Sequence, residues 1–160
     1  MSSEIADTKP RHSGGETATE RLASAIGYPE RIPAGARSFG FRVDGAEVLA
    51  EERDGRLTLR FDIAADASLL DALASYATGR MFKENATLAW EDGTKTGGGE
   101  TRGGAVFLWQ DVPANSGRRE LLNFFETFMD SCDWWRVRTE ELRGAGSEQP
   151  SGRETMMIRP

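Results

Sequence analysis

The residue types that most often carry phosphate chemistry occur together in one glycine-rich stretch, residues 93–104 (GTKTGGGETRGG). A phosphate-binding loop places a Gly-Lys-Ser/Thr sequence at the N-terminus of a helix, whose free amide groups hold the anion. This stretch contains no Gly-Lys-Ser/Thr sequence, and the residues that follow it have the pattern of a strand. We therefore predict a loop that joins two strands rather than a nucleotide site.

The single histidine and the single cysteine are the other candidates for metal binding or nucleophilic catalysis. His12 lies in a polar N-terminal segment, where an imidazole has no held neighbours to orient it as a ligand or a base. Cys132 lies on the apolar face of a predicted helix, and the body of the chain offers no histidine to activate its thiol. We expect Cys132 to pack in the core as a small hydrophobic residue. Neither residue predicts a metal site or a cofactor.

Paired carboxylates would support acid–base catalysis, but the spacing of the acidic residues selects no pair. Each candidate falls at a predicted strand face, turn or helix cap, where a solvated side chain is expected. The candidates are Asp62, Asp66, Asp71, Glu91, Asp92, Asp130 and Asp133. We predict no catalytic residues and expect that the protein is not an enzyme.

The charge and composition exclude several classes of partner. The formal net charge is -6, and arginines alternate with carboxylates, as in residues 51–54 (EERD). Nucleic-acid binding requires a clustered basic stripe, so we expect no nucleic-acid partner. No stretch is long and apolar enough to insert into a membrane, and the polar N-terminus lacks a secretory signal. A lone cysteine suits a reducing compartment, so we expect a cytoplasmic protein.

Composition also divides the chain into a central body and two polar ends. Residues 1–15 are rich in Ser, Gly and charged side chains, and residues 144–160 are similar apart from one apolar cluster at residues 156–158 (MMI). Segments with so little apolar surface cannot repay the entropy of folding. We expect a disordered leader at residues 1–15, one domain at residues 16–143 and a flexible tail at residues 144–160.

The body begins with the pattern of a short helix followed by three strands. Thr17 and Glu20 have capping-box spacing, and Gly27 ends the helix. Asp-Gly pairs at residues 44–45 and 54–55 suit the tight turns of hairpins. Apolar and polar residues alternate in the first and third strands, as in half-buried antiparallel strands. The three predicted strands are residues 38–44, 46–53 and 56–63.

The middle helix is predicted from a cap at Ser68 and has two apolar stripes. Leu70 and Leu73 lie on one stripe, and Leu69 and Tyr76 lie on the other. A helix that is apolar over so wide an arc usually has two neighbours, one of which can be a partner subunit.

Two further strands and a long helix complete the predicted fold. The strands are residues 86–91 and 105–112, and residues 105–109 (AVFLW) are apolar at every position, so both faces of that strand need cover. The last helix, from about residue 116 to residue 142, carries a continuous aromatic-rich stripe. We predict an α+β fold in the order α-β-β-β-α-β-β-α, with a five-stranded twisted antiparallel sheet packed on helices.

Residues 17–142 resemble the class I chaperones of bacterial type III secretion. The likeness rests on the short first helix, on the hairpin segments 41–48 (FRVDGAEV) and 54–59 (DGRLTL), and on a Leu- and Phe-rich last helix with tryptophan near its end. The resemblance implies a cytosolic homodimer without enzymatic activity. Its partner would be a secreted effector, whose N-terminal non-globular segment is kept competent for secretion. The alternative is a regulatory or adaptor domain of the same architecture that binds a folded protein.

Two sets of residues are the candidate sites. We predict a client groove between the first helix and the first strand, although the same residues could simply form the core. The client-binding candidates are Leu22, Ile26, Tyr28, Phe39 and Phe41. Apolar stripes on the middle helix and on the two later strands predict a dimer interface. The interface candidates are Leu69, Tyr76, Trp90 and Trp109.

Overall fold

The computed structural model describes residues 15–63, 69–80, 85–91 and 104–147. Within them the order of elements is α-β-β-β-α-β-β-α, which confirms the prediction. The helices are α1 (Ala18–Ile26), α2 (Leu70–Arg80) and α3 (Arg118–Ser147). The strands are β1 (Ser38–Val43), β2 (Ala46–Arg53), β3 (Arg56–Asp62), β4 (Thr87–Glu91) and β5 (Ala105–Pro113). Most of the predicted leader and tail, the cap at Ser68 and nearly all of the glycine-rich stretch lie outside the described residues.

Both ends of α1 follow from its sequence. The Thr17 hydroxyl accepts a hydrogen bond from the Glu20 amide, and the Glu20 carboxylate accepts one from the Thr17 amide, which forms the predicted capping box. Gly27 ends the helix in the left-handed conformation, with a φ of 67°. The Glu20 carboxylate also accepts the Gly35 amide at 3.1 Å, and the Ala18 amide donates to Glu52 of β2 at 2.6 Å. These bonds hold α1 against the loop before β1 and against the sheet.

The Asp-Gly pairs form the two tight turns of a three-stranded meander. Asp44 and Gly45 have φ values of 49° and 83°, and Asp54 and Gly55 have φ values of 49° and 75°. Positive φ at both central positions is the requirement of a type I′ turn, whose twist matches that of the strands it joins. The predicted pairing of β1 with β2 and of β2 with β3 is therefore confirmed.

The five strands form one antiparallel sheet in the order β1-β2-β3-β5-β4. Helices α1 and α3 lie on one face, called here the inner face, and contact each other there. The inner face and the helices above it form a single core. The buried apolar residues of the inner face are Phe41, Ala46, Val48, Ala50, Leu57, Leu59, Phe61, Val106 and Leu108. The opposite side is called the outer face.

Helix α3 contributes the predicted aromatic stripe to the core. Its buried apolar positions are Leu121, Phe124, Phe128, Cys132 and Trp135. The helix continues to Ser147 rather than ending near Leu142, so the first residues of the expected tail are helical. Helix α2 buries only Leu73 completely and rests on α3 through Tyr76, whose ring centroid is 6.1 Å from that of Trp134.

Candidate protein-binding surfaces

The structure separates the five client-binding candidates into two groups. Leu22 is 0% exposed and Phe41 is 5% exposed, so both are core residues, as the alternative interpretation expected. Ile26, Tyr28 and Phe39 are half-buried and pack against that core from its border. The core interpretation therefore holds for two of the five residues, and the other three remain available to a partner.

Three of these candidates form an aromatic cluster beside β1. The Tyr28 and Phe39 ring centroids are 5.3 Å apart, and the stacked rings of Phe39 and Phe41 are also 5.3 Å apart. Phe41 continues the cluster to Phe125 of α3 at 5.7 Å. Tilted and stacked rings at these distances attract each other beyond the area that they bury. The cluster thus runs from the core to the edge of the sheet.

The outer edge of β1 pairs with no strand among the described residues. Val43 and Ala46 flank a two-residue turn, so their main chains form a hydrogen-bonded pair. From there, hydrogen-bonded and non-hydrogen-bonded pairs alternate along the two strands. By this alternation the main-chain groups of Ser38, Gly40 and Arg42 point away from β2. Within the part of the chain that the structure describes, the sheet therefore has a free edge beside the aromatic cluster.

The hydroxyl of Tyr28 lies at this free edge. It is 3.4 Å from the Gly40 carbonyl oxygen and 3.2 Å from the Glu30 carboxylate, and it can donate to either one. Burial, together with the hydrogen bond and the charge of Glu30, raises the pKa of Tyr28 above its usual value. The phenol therefore stays protonated and remains a donor at neutral pH.

The outer face of the sheet carries an apolar surface that sequence reasoning only partly identified. Leu49 of β2 is 41% exposed, and Phe107 and Trp109 of β5 are half-buried beside it. A cavity of about 310 Å³ lies among these three residues, Thr58 and Arg60. The signal for the β5 residues was the unbroken apolar run at 105–109. Leu49 gave no signal, because β2 (AEVLAEER) does not alternate.

Arg60 organises the charges of the outer face. Its guanidinium donates to Asp62 at 2.9 Å and to Glu91 at 2.8 Å, and it lies 3.9 Å from the centroid of the Phe107 ring. A guanidinium at this distance from a ring is attracted to the π electrons. The arrangement links β3, β4 and β5 across the outer face. The set of Arg60, Asp62 and Glu91 carries one excess negative charge.

The four interface candidates do not share one surface. Tyr76 is 40% exposed on α2, and Leu69 is half-buried just before that helix. Trp90 lies on the inner side of the edge strand β4, where a Cβ atom at Gly104 would overlap its ring. Trp109 lies on the outer face, opposite the helices. A single flat interface through Tyr76 would therefore exclude Trp109.

Of the residues considered for catalysis, the structure describes Cys132 and five of the seven carboxylates. Cys132 is buried, and desolvation, followed by the charge of Asp133, raises the pKa of its thiol. Asp62 and Glu91 pair with Arg60, and Asp133 pairs with Arg136. No group of three His, Cys, Asp or Glu residues in the described ranges is placed to hold a metal ion. His12, Asp66 and Asp92 lie outside those ranges.

Comparison with known proteins places the chain by fold alone. No family model and no curated protein matches the sequence. A solved structure similar to this one is that of YbjN from E. coli, described as a candidate transcription regulator. The TM-score is 0.57 at 7% sequence identity, over 78% of this chain and 90% of that chain. At that identity the likeness shows a shared fold. Among the described helices, none combines the length and hydropathy that a membrane span requires.

Proposed function

We propose that this protein is a cytoplasmic, non-enzymatic binding module that adds an extended segment of a partner protein to the free edge of β1. The observation that carries the proposal is the combination of this edge with an apolar surface on each face of the sheet. A bound strand needs open main-chain groups along the edge and places for its alternate side chains. β1 offers both.

On the inner face, the partner's side chains would meet the aromatic cluster. Phe39 and Tyr28 are half-buried at the border of the core, so a partner that covers them removes apolar surface from water. Aromatic residues of this kind supply much of the affinity at protein interfaces. The Tyr28 hydroxyl would be displaced from Gly40 and keep its bond to Glu30.

On the outer face, the partner's side chains would lie over Gly40. Gly40 has no side chain to cover its neighbour Leu49 on β2, and a cavity of about 320 Å³ opens between these residues, Glu47 and Arg60. This cavity can take an aliphatic side chain, because Leu49 lines it and is exposed. A strand with apolar residues at alternate positions therefore fits one cavity outside and the aromatic cluster inside.

The finer proposal is a type III secretion chaperone for the N-terminal non-globular segment of an effector. Its support is the resemblance of residues 17–142 to that family, together with a binding mode that suits an unfolded client. The alternative is a regulatory or adaptor domain that binds a folded partner. YbjN, which shares the fold, is itself described as a candidate regulator. A client segment that stays unfolded when bound supports the chaperone.

We also propose a homodimer that forms through α2. This helix buries only Leu73 completely and exposes Tyr76. An exposed aromatic residue on a lightly packed helix suits a twofold contact, in which each subunit presents the same patch.

The test uses amide hydrogen exchange with a client identified by co-purification from the host. The probe is a synthetic peptide of that client's N-terminal segment. In the free protein the amides of Ser38, Gly40 and Arg42 point to solvent, and binding should slow their exchange at least tenfold. Protection elsewhere with no change at these three amides would contradict strand addition.

A matched pair of variants separates main-chain pairing from side-chain contact. Ser38→Pro removes an amide that faces away from β2, which an edge strand tolerates. Ser38→Ala retains the amide. We expect the proline variant to lose peptide affinity at least tenfold while the alanine variant binds like the wild type. Equal binding by both would show that the edge is not used.

A further inference from the structure

Three neighbouring cavities, together called here the channel, lie between the end of α3 and the outer face. The first, of about 650 Å³, lies between the last turns of α3, the β1–β2 turn and the end of β3. It shares Glu47 and Asp62 with the cavity over Gly40. That cavity shares Leu49 and Arg60 with the one beside Trp109. The cavities therefore follow one another along the surface.

The C-terminal end of α3 lies at the mouth of this channel. Arg143 lines the first cavity, and the helix ends at Ser147, about 6 Å further along its axis at 1.5 Å per residue. Residues 148–160 follow directly. The nine residues 148–156 can span about 30 Å when extended. Asp62 and Thr58 on β3 are about 13 Å apart along the strand, so the extended segment is more than twice as long as this part of the path.

The composition of the segment matches the floor of the channel. Residues 153–159 (RETMMIR) contain three consecutive large apolar residues, two arginines and one glutamate. The apolar floor is formed by Leu49, Phe107 and Trp109. Methionine adapts its shape to such irregular apolar surfaces and makes favourable contacts with aromatic rings.

The charges of the channel complement the two arginines of the segment. Its lining contains five carboxylates and three arginines. Glu51 makes no ion pair or side-chain hydrogen bond within the described residues, although it borders the apolar floor. The carboxylates are Asp44, Glu47, Glu51, Asp62 and Glu140, and the arginines are Arg60, Arg136 and Arg143.

We propose that residues 153–159 of the same chain occupy this channel, with the apolar trio on the floor and the arginines against the channel carboxylates. The inference does not depend on the proposed function, because the segment would occupy the channel whether or not a partner strand adds to the edge of β1. The occupied segment covers Leu49 and therefore competes with any partner side chain that enters the cavity over Gly40.

Disulfide formation in the full-length chain tests the proposal. Leu49→Cys is combined with Met156→Cys or with Met157→Cys, because an extended segment turns alternate side chains to opposite sides. The control combines Asp130→Cys with the same two tail positions. Asp130 is exposed on α3, which lies on the inner face, so it is on the opposite side of the sheet from Leu49. Buried Cys132 does not compete, since it is 1% exposed.

We expect at least one Leu49 pair to form an intramolecular disulfide at least tenfold faster than either Asp130 pair. The bond requires the two Cα atoms to approach within about 7 Å, so it reports contact rather than mere tethering. Equal rates for the two sites would overturn the proposal. Covalent dimers that join position 49 of one copy to the tail cysteine of another would overturn it as well, because they would show that a second copy supplies the segment.

The contributions of the segment's apolar residues and of the channel's carboxylates are tested in whichever Leu49 double-cysteine variant forms its disulfide faster. Ile158→Asp in that background should lower the rate of disulfide formation to that of the Asp130 control, and Glu51→Lys should lower it severalfold. Glu51 is exposed, so its replacement leaves the fold intact. A rate that neither change affects would show that the segment approaches Leu49 without binding in the channel, and would contradict the proposal.

Discussion

The guanidinium carbon of Arg80 lies 3.8 Å from the ring centroid of Trp134, so the last turn of α2 stacks on the middle of α3. Arg138 approaches the same indole at 5.3 Å, and Tyr76 meets it edge-on. Because α2 buries only Leu73 completely, these contacts around one indole contribute much of its attachment to α3. The adjacent Trp135 lies in the core, which explains why the two neighbouring tryptophans differ in burial.

We therefore expect Arg80→Ala to lower the free energy of unfolding by about 0.5–2 kcal/mol, the usual range for a partly desolvated cation–π contact. Burial, followed by the charge of Arg138, lowers the pKa of Arg80, but an arginine stays charged at neutral pH. Urea unfolding at neutral pH measures the effect. Arg119→Ala, at an exposed position of α3, is the control and should change stability by less than about 0.5 kcal/mol.

A second prediction separates the core residues of the client-binding set from those at the border. Leu22→Ala should cost about 2–5 kcal/mol, because Leu22 is fully buried and its removal leaves a cavity. Tyr28→Ala should cost less stability and should weaken binding of the client peptide at least tenfold. Thermal unfolding and peptide titration give the two quantities. A Tyr28→Ala variant that binds with full affinity would place the client away from the aromatic cluster.

The meander was predictable from sequence because its signals are local. Each Asp-Gly pair sets a turn and with it the register of the two strands that it joins, and strict alternation selects the face of β1 and β3. The ends of α1 follow equally well from Thr17, Glu20 and Gly27.

The candidate sites were harder to predict because they depend on tertiary position. Sequence pattern placed Trp90 and Trp109 together as apolar residues of later strands, but the pairing of β4 with β5 puts them on opposite faces. Leu49 stands on the solvent side of a strand whose other side is buried, and only the sheet order reveals that Phe107 and Trp109 lie nearby. A groove or channel is a relation between distant residues, and periodicity does not report it.

A third prediction concerns the dimer. Light scattering of the wild type at micromolar concentration should give twice the 17.6 kDa of one chain. Tyr76→Glu should give the monomer, because it places charge on the exposed side of α2. Trp109→Glu changes the opposite side of the sheet and should leave the dimer intact. A wild-type mass of one chain would exclude the dimer, and dissociation by Trp109→Glu alone would move the interface to the outer face.

A fourth prediction is a pH dependence that arises at the capping box. Hydrogen bonds from the Thr17 amide, the Thr17 hydroxyl and the Gly35 amide lower the pKa of Glu20 below its ordinary value of 4.5. The unfolded chain then binds more protons than the folded chain in the acidic range. The contribution of Glu20 is complete above pH 4.5 and is lost as the pH falls through its folded-state pKa.

Glu20→Gln isolates this contribution. The wild type should be more stable than the variant at neutral pH, and the difference should shrink as the pH falls below 4.5. Denaturant unfolding across that range measures it. Glu16→Gln, just before the helix and exposed, is the control and should show a smaller change. A difference between wild type and Glu20→Gln that grows on acidification would contradict the assignment.

The last prediction concerns Gly40, the residue that leaves Leu49 exposed. A Cβ atom at this position would meet only the Val48 carbonyl oxygen, at 3.9 Å, which is an ordinary contact. A side chain there also reduces the conformational freedom of the unfolded chain. Gly40→Val should therefore leave the free energy of unfolding unchanged or raise it by about 0.4–1 kcal/mol. The valine would fill the cavity beside Leu49 and lower the affinity for the client peptide. Gly117→Ala, a glycine before α3 with open space around it, is the control and should leave binding unchanged. A stable Gly40→Val variant that binds the client like the wild type would show that no partner side chain enters the cavity over Gly40.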